Sequence, residues 1–280
     1  MKNSAKLLLM VVIGIVITPP SDSCWSQETL EGHTVSIGGM EMYYETHGQD
    51  SPLILLHGIT QSGQIWRSHI VDLAEHYRLI IPDLRGHGRS TNPLNQFTTK
   101  QSALDIFALL DQLEIDQFKA MGISAGGMTL IHMATQQPER VEAMVLIGAT
   151  TYHPEQARVL YSRSADSLST KQWARYRRHH KQGDEQIRAL VTQFDSWKDN
   201  YDDMNFTKPY LSTITARTLI LHGDRDHFFP VSIPVEMYQA IPRSYLWIVP
   251  NGGHIPIGGN RAEVFRRTAL EFLQGDWESK

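Results

Sequence analysis

The chain has 280 residues, of which 41% are apolar, and its formal net charge is −4 at pH 7. This length and apolar content allow one large hydrophobic core, and open α/β folds of this size are often single domains. The small negative charge gives no electrostatic reason to expect nucleic acid or an anionic membrane surface as a partner.

The N-terminal segment has the pattern of an export signal. Lys2 and Lys6 precede an uncharged apolar run at residues 7–17, which is too short to span a bilayer, and small residues suited to cleavage follow it. We therefore predict a signal peptide at residues 1–26 and an exported protein, periplasmic or secreted, that meets a membrane only if this segment is not cleaved. Cys24 is the only cysteine, so an intramolecular disulfide cannot form, and its lipidation at a new N-terminus is the alternative.

From residue 33 onward, apolar runs alternate with helical patterns, which predicts a mostly parallel sheet flanked by helices. A hairpin across Gly38 and Gly39 is expected to open the sheet with antiparallel strands. The later apolar runs are almost continuous, which is typical of strands buried on both faces. They begin at Pro52, Tyr77, Phe118, Val141, Thr218 and Tyr245. The sequence thus predicts an α/β fold with eight strands.

The sequence Gly-Ile-Ser-Ala-Gly-Gly at residues 122–127 is the most informative stretch. A strand-like run precedes it and a helical pattern follows, so Ser124 is predicted to stand on a sharp turn between strand and helix. A nucleophile on such a turn has unfavourable backbone angles and close neighbours, which requires the positions two before and two after to lack side chains. Gly122 and Gly126 meet this requirement, so Ser124 is the candidate nucleophile.

Residues 151–211 interrupt the alternation of strands and helices. Polar helical patterns there carry nine aromatic side chains and no strand-like run. We interpret them as a helical lid inserted between the sixth and seventh strands, which divides the core into residues 27–150 and 212–280. Such a lid lines a substrate cavity and excludes water from it. In the alternative interpretation, the aromatic residues serve only to attach the insertion to the core. The candidate substrate-binding residues are Trp173, Tyr176, Phe194 and Trp197.

The only basic cluster, at residues 175–181, is interpreted as a solvated helix face. It contains His179 and His180, which we expect to be exposed and to bind no metal. No His-Glu-x-x-His sequence, no paired cysteines and no Gly-x-x-x-x-Gly-Lys loop is present, so neither a metal nor an organic cofactor is expected.

A serine hydroxyl becomes a good nucleophile only when a base takes its proton and a third group orients that base. The turn around Ser124 resembles that of the α/β hydrolases, in which nucleophile, acid and base come in this order along the chain and the base is expected after the last strand. His254 lies there in a glycine-rich turn, whereas His227 lies beside the acids. His254 is therefore the candidate base, and Asp224 and Asp226 compete for the role of acid.

With these residues in place, the chain resembles the α/β-hydrolase superfamily. Gly223, Asp226 and Pro230 match its Gly-x-x-Asp-x-x-x-Pro acid segment, and residues 83–90 match its Asp-x-x-Gly-x-Gly-x-Ser turn. The resemblance spans residues 33–274. It implies the α/β-hydrolase fold with an inserted lid, assigns the acid to Asp226, and gives the turn a structural role.

The resemblance also implies how a developing oxyanion is stabilised. Two backbone amides are expected to donate to it, those of Ile59 and Ala125. Ile59 follows His57 and Gly58 after the first parallel strand, and Ala125 follows the nucleophile at the start of a helix whose dipole favours negative charge.

The implied activity is that of a serine hydrolase whose partner is a small acyl substrate, with a carboxylic ester as the default. Esterases, haloperoxidase-like enzymes, prolyl aminopeptidases and carbon–carbon bond hydrolases share the motifs, whereas epoxide hydrolases and haloalkane dehalogenases carry Asp where this chain has Ser124. A prolyl peptidase needs acidic lid residues to hold a free amine. The available ones are Asp195, Asp199, Asp202 and Asp203. A ligand-binding or signalling protein without catalysis is the alternative from another class.

Overall fold

The computed structural model describes residues 31–275 and 277. The signal peptide predicted for residues 1–26, including Cys24, lies outside the described residues and stays a prediction. Within the described part of the chain, no helix is long and apolar enough to cross a membrane.

Within the described residues, eight strands form one sheet in the order β1-β2-β4-β3-β5-β6-β7-β8. The strands are β1 (Glu31–Ile37), β2 (Met40–His47), β3 (Pro52–Leu56), β4 (Arg78–Pro82), β5 (Phe118–Ile123), β6 (Val141–Ile147), β7 (Arg217–Gly223) and β8 (Ser244–Val249). β2 pairs antiparallel with β1 and β4, and all other pairs are parallel. The predicted fold class, including the antiparallel hairpin that opens the sheet, is confirmed.

Helices cover both faces of the sheet. They are α1 (Ile70–Ala74), α2 (Thr99–Gln112), α3 (Ala125–Gln136), α8 (Ser232–Ala240) and α9 (Ala262–Gln274). Alternate strand residues supply two cores: Ile54 belongs to the core that includes residues of α2, α3 and α8, whereas Leu55 belongs to the core that includes residues of α1 and α9. Both side chains are fully buried, and each such burial stabilises the fold by about 2 kcal/mol. Burial on both faces is why the strands read as continuous apolar runs.

We call residues 148–216, between β6 and β7, the inserted segment. Its helices are α4 (Glu155–Tyr161), α5 (Thr170–His179), α6 (Asp184–Ser196) and α7 (Lys208–Leu211). They fall within the range for which a lid is predicted, and an isolated antiparallel bridge joins Tyr152 to Asn205. α5 begins with a capping box, in which Ser169 and Gln172 bond each other's backbone amides.

The inserted segment is fastened to the core far from its own sequence. Asp203 accepts hydrogen bonds from the Thr99 amide at 2.7 Å and the Lys100 amide at 3.0 Å. These are orphan donors of the first turn of α2, where the helix dipole also favours a carboxylate. Asp203 therefore caps a helix that begins 104 residues earlier.

Candidate active site

Ser124 lies on the turn between β5 and α3 in a rare conformation for a residue with a side chain, with φ 51° and ψ −114°. Its amide donates to the Ile147 carbonyl at 2.8 Å, which fixes the turn against β6. A Cβ atom at Gly122 would lie 2.5 Å from the carbonyl carbon of Gly126, and one at Gly126 would lie 2.5 Å from the Leu56 oxygen. The steric need for glycine that the sequence predicts is therefore present.

His254 and Asp226 are joined by a hydrogen bond of 2.7 Å between Nδ1 and Oδ2. The other carboxylate oxygen accepts from the Phe228 amide at 2.8 Å. Burial disfavours the charged carboxylate, but the bond from His254 and the Phe228 amide offset that cost and hold the pKa of Asp226 below its usual value. Asp226 is thus an ionised group that orients the His254 ring.

The other acid and the other histidine have different surroundings. Asp224 accepts a hydrogen bond from the Gly252 amide at 3.2 Å, so it holds the turn that carries His254. His227 packs against the Phe228 ring, with centroids 4.6 Å apart, and lines the cavity described below. Of the two acids that compete in the sequence, Asp226 is the one that contacts the predicted base.

A supporting histidine beneath Asp226 was not identified from the sequence. His222 Nε2 lies 2.9 Å from the Phe229 carbonyl oxygen and 3.6 Å from Asp226 Oδ2. Burial lowers the pKa of His222, which favours a neutral ring that donates to the carbonyl and keeps the Asp226 loop in place. Histidine followed by glycine occurs repeatedly in this chain, so the dipeptide offered no signal.

Two turns at the ends of β6 and β8 approach each other closely. Gly148 follows β6 with φ 57°, and a Cβ atom there would lie 2.4 Å from the His254 carbonyl oxygen. Since β5, β6, β7 and β8 are parallel neighbours, their carboxyl ends share one edge of the sheet. Ser124, Asp226 and His254 follow three of these ends.

Ser124 and His254 share the wall of a cavity of about 300 Å³. The inserted segment contributes Tyr161, Arg163, Arg175, Tyr176, Phe194 and Trp197 to this wall. Three of the four aromatic residues predicted to bind substrate therefore line the cavity, and that role remains a prediction for them. Tyr161 and the two arginines were not singled out, because one sequence does not show which faces of α4 and α5 turn inward.

Trp173 lies outside the cavity wall, contrary to the expectation. It packs on a small cluster that joins α5 to α6 through Tyr176 and Val191. The guanidinium groups of Arg177 and Arg188 flank its ring at 5.2 and 5.5 Å. Its apolar surface is therefore used to attach one helix of the inserted segment to another.

Of the two predicted oxyanion donors, Ile59 borders the same space and Ala125 directly follows Ser124. Ile59 lines the cavity, and among the described residues no oxygen accepts a hydrogen bond from its amide. Ala125 is the first residue of α3, where an amide has no partner within the helix. In the part of the chain that the structure describes, neither amide is therefore tied up by a partner in the fold, and their roles as oxyanion donors remain predictions.

The basic cluster at residues 175–181 is not uniformly solvated. Arg177 is exposed and pairs with Asp184, as a solvated face predicts, but His180 is only 3% exposed. His179 is half-buried, with Nδ1 at 3.0 Å from the Ser62 hydroxyl. The expectation that both histidines face solvent is wrong, because the end of α5 docks on the core.

Across the described residues, no cluster of three or more His, Cys, Asp or Glu side chains is arranged to hold a metal ion.

Comparison with known proteins agrees with this geometry. A family model described as the alpha/beta hydrolase fold matches residues 51–184. The 2-hydroxy-6-oxo-2,4-heptadienoate hydrolase of Pseudomonas putida is 27% identical over 274 residues, covering 88% of this chain and 97% of that protein. A soluble epoxide hydrolase of a Corynebacterium species is 36% identical over 115 residues, which cover 41% of this chain and only 40% of that relative's length.

A solved structure gives the same assignment over nearly the whole fold. A variant of the meta-cleavage product hydrolase CumD of Pseudomonas fluorescens is 25% identical, with a TM-score of 0.73, and covers 88% of this chain and 98% of that one. The chain belongs to the α/β-hydrolase superfamily and is a hydrolase of that superfamily.

Proposed function

We propose that the protein is a serine hydrolase that cleaves a small carboxylic ester or a related acyl substrate through Ser124, His254 and Asp226. One observation carries this proposal: ionised Asp226 orients His254 in a cavity whose wall also contains Ser124. Since His254 Nδ1 donates its proton to Asp226, Nε2 is left to accept the proton of the serine hydroxyl.

The reaction then proceeds in two balanced halves. Ser124 Oγ bonds to the acyl carbon while its proton passes to His254 Nε2, and the amides of Ile59 and Ala125 stabilise the oxyanion. His254 returns that proton to the leaving alcohol as the carbon–oxygen bond breaks, which leaves an acyl-enzyme. Water then gives a proton to His254 as its oxygen attacks the acyl carbon. His254 passes that proton to Ser124 Oγ as the acyl-enzyme bond breaks, which releases the acid and free Ser124.

The inserted segment acts as the lid in this proposal. Tyr176, Phe194 and Trp197 form the apolar part of the cavity wall opposite the core, so they bind the acyl or alcohol part of the substrate. A volume of about 300 Å³ suits a small molecule rather than a long lipid chain.

Two arginines favour a second candidate, hydrolysis of a carbon–carbon bond in a substrate that bears a carboxylate. Arg163 and Arg175 line the cavity, and among the described residues neither pairs with a carboxylate. Unpaired guanidinium groups are strong donors to carboxylates. The Pseudomonas putida relative is named for hydrolysis of a heptadienoate, which is an anionic substrate of this kind.

The peptidase alternative has less support. Asp195 binds Lys198 and the Arg163 amide, Asp203 caps α2, and none of the four acids considered for this role lines the cavity. A free amine would instead meet the two arginines, which repel it.

The test of the triad is labelling with a fluorophosphonate probe. We expect the wild type to be labelled at Ser124, and Ser124→Ala and His254→Ala to stay unlabelled while folded. A folded wild type that resists labelling would overturn the hydrolase proposal and favour a ligand-binding protein. Turnover of nitrophenyl esters against that of a 2-hydroxy-6-oxo-dienoate then separates the two candidate reactions.

We further propose export from the cell, which depends on residues outside those described. The mass of the mature N-terminus checks it, because an intact Met1 excludes cleavage of the signal.

A further inference from the structure

The loop at residues 58–62, which we call the oxyanion loop, contains a strained residue held from both sides. Thr60 has φ 60°, an uncommon value for a β-branched side chain. Its amide donates to His87 Nε2 at 3.1 Å, and its carbonyl oxygen lies 3.2 Å from His180 Nε2. Two histidines from different elements therefore clamp one residue next to Ile59, the proposed oxyanion donor.

The partners of each ring determine its protonation. The Gly88 amide donates to His180 Nδ1 at 3.1 Å, so that nitrogen carries no proton and Nε2 donates to Thr60. His87 is the mirror case, since Nε2 accepts from Thr60 and Nδ1 donates to the Arg85 carbonyl at 2.9 Å. Burial lowers the pKa of His180 to about 3 and that of His87 well below its ordinary value, in agreement with two neutral rings.

His180 belongs to the inserted segment, whereas the loop belongs to the core. It directly follows α5, whose Arg175 and Tyr176 line the cavity. The next amide, of Lys181, donates to the Gly88 carbonyl at 3.0 Å. The end of α5 is thus bonded both to the oxyanion loop and to the turn at residues 86–90.

We propose, on the basis of the function proposed above, that His180 is a positioning residue for the reaction. By donating to Thr60 it holds the oxyanion loop in the conformation that turns the Ile59 amide toward the substrate. It also makes this conformation depend on the docking of α5, so that closing the cavity and completing the oxyanion hole are one event.

The two hydrogen bonds of His180 can be removed separately. His180→Gln keeps a donor near the Nε2 position for Thr60, and His180→Asn keeps an acceptor near the Nδ1 position for Gly88. His180→Phe keeps a ring and loses both bonds. His76→Gln is the control, since that histidine is exposed on the surface.

We expect His180→Asn and His180→Phe to lower kcat by about 10- to 100-fold with little change in KM, because a misplaced donor acts mainly in the transition state. His180→Gln should stay within about threefold of the wild type, and the affinity for an arylboronate that bonds to Ser124 should follow kcat across the series.

Equal losses in the Gln and Asn variants, or a rise in KM alone, would overturn the proposal, as would unchanged kcat in folded Asn and Phe variants. Thermal melting shows whether the variants fold. If either His180→Asn or His180→Phe does not fold, the kcat of the other one is compared with that of His180→Gln. If neither folds, His180 is a stability residue and the proposal fails. Failure of the hydrolase proposal itself looks different, because the wild type then binds neither fluorophosphonate nor arylboronate.

Discussion

At the scale of single residues, Ser124 could be selected from the sequence because its glycine spacing follows from steric need, and His254 and Asp226 because the superfamily resemblance implies their order along the chain. The choice between Asp224 and Asp226 required the superfamily resemblance, since both lie in the same turn. His222 and His180 could not be selected, because their roles depend on which carbonyl each ring meets in the folded chain. Local patterns carry no information about such contacts.

Replacing Asp226 by Asn should reduce kcat by about 10⁴-fold, because an amide can fix the wrong tautomer of His254 and offers no charge to the imidazolium. Stability should change little, since Asn retains an oxygen for the Phe228 amide. Ester turnover and thermal melting measure the two effects. Asp224→Asn is the matched control and should keep most activity; a larger loss there than at Asp226 would reverse the assignment of the acid.

Replacing Gly126 by Ala should destabilise the fold by about 1–3 kcal/mol or prevent folding, because its Cβ atom would lie 2.5 Å from a buried backbone oxygen. Gly258→Ala is the control, since nothing lies within 4 Å of its Cβ position. Urea denaturation gives both free energies of unfolding. Equal stability of the two variants would contradict the steric argument for the turn.

At the scale of elements, the strands and the inserted segment were predictable because periodicity and apolar runs are local properties. The way in which the inserted segment docks on the core was not predictable from such local properties. Trp173 and Tyr176 are both aromatic residues of α5, yet only Tyr176 lines the cavity. Asp203 looks like one of several surface acids in the sequence, and its role as a cap of α2 depends on a contact 104 residues away.

The arginines of the inserted segment should determine preference for charge. We expect the wild type to favour 4-nitrophenyl hydrogen glutarate, an anionic ester, over 4-nitrophenyl butyrate. Arg163→Gln combined with Arg175→Gln should raise KM for the anionic ester about tenfold and leave that for the neutral ester unchanged, as expected when charge-assisted hydrogen bonds are lost. Arg177→Gln is the control on the same helix, because that side chain pairs with Asp184. Equal KM changes for both esters would exclude an anion site.

At the scale of the whole molecule, the fold buries several histidines whose pKa is lowered by that burial. Burial lowers the pKa of His57 and His180 to about 3, and that of His69, His153 and His179 to about 4. Asp83 opposes them, since burial raises its pKa to about 6. Since one carboxyl has a raised pKa and five histidines have a pKa lowered to about 3 or 4, the histidines determine the response of stability to acid.

The free energy of unfolding should therefore fall as pH decreases from about 6.5 towards 4, because these histidines bind protons in the unfolded chain but stay neutral in the folded chain. Each of these histidines contributes a slope of about 1.4 kcal/mol per pH unit between its folded and unfolded pKa values. Urea denaturation at pH 7.5, 6 and 5 measures the trend. A midpoint that is constant over this range would show that these rings are protonated in the folded state.

The attachment of the inserted segment has a consequence for protein engineering. The segment leaves the sheet after β6 and returns at β7, two adjacent parallel strands, so its two ends can in principle accept a foreign lid. Yet this segment also supplies a cap for α2 through Asp203 and a bond to the oxyanion loop through His180. A chimera that exchanges residues 148–216 alone should inherit a new pocket but lose those two attachments. Transplanting substrate preference in this protein therefore requires a new lid that retains His180 and Asp203.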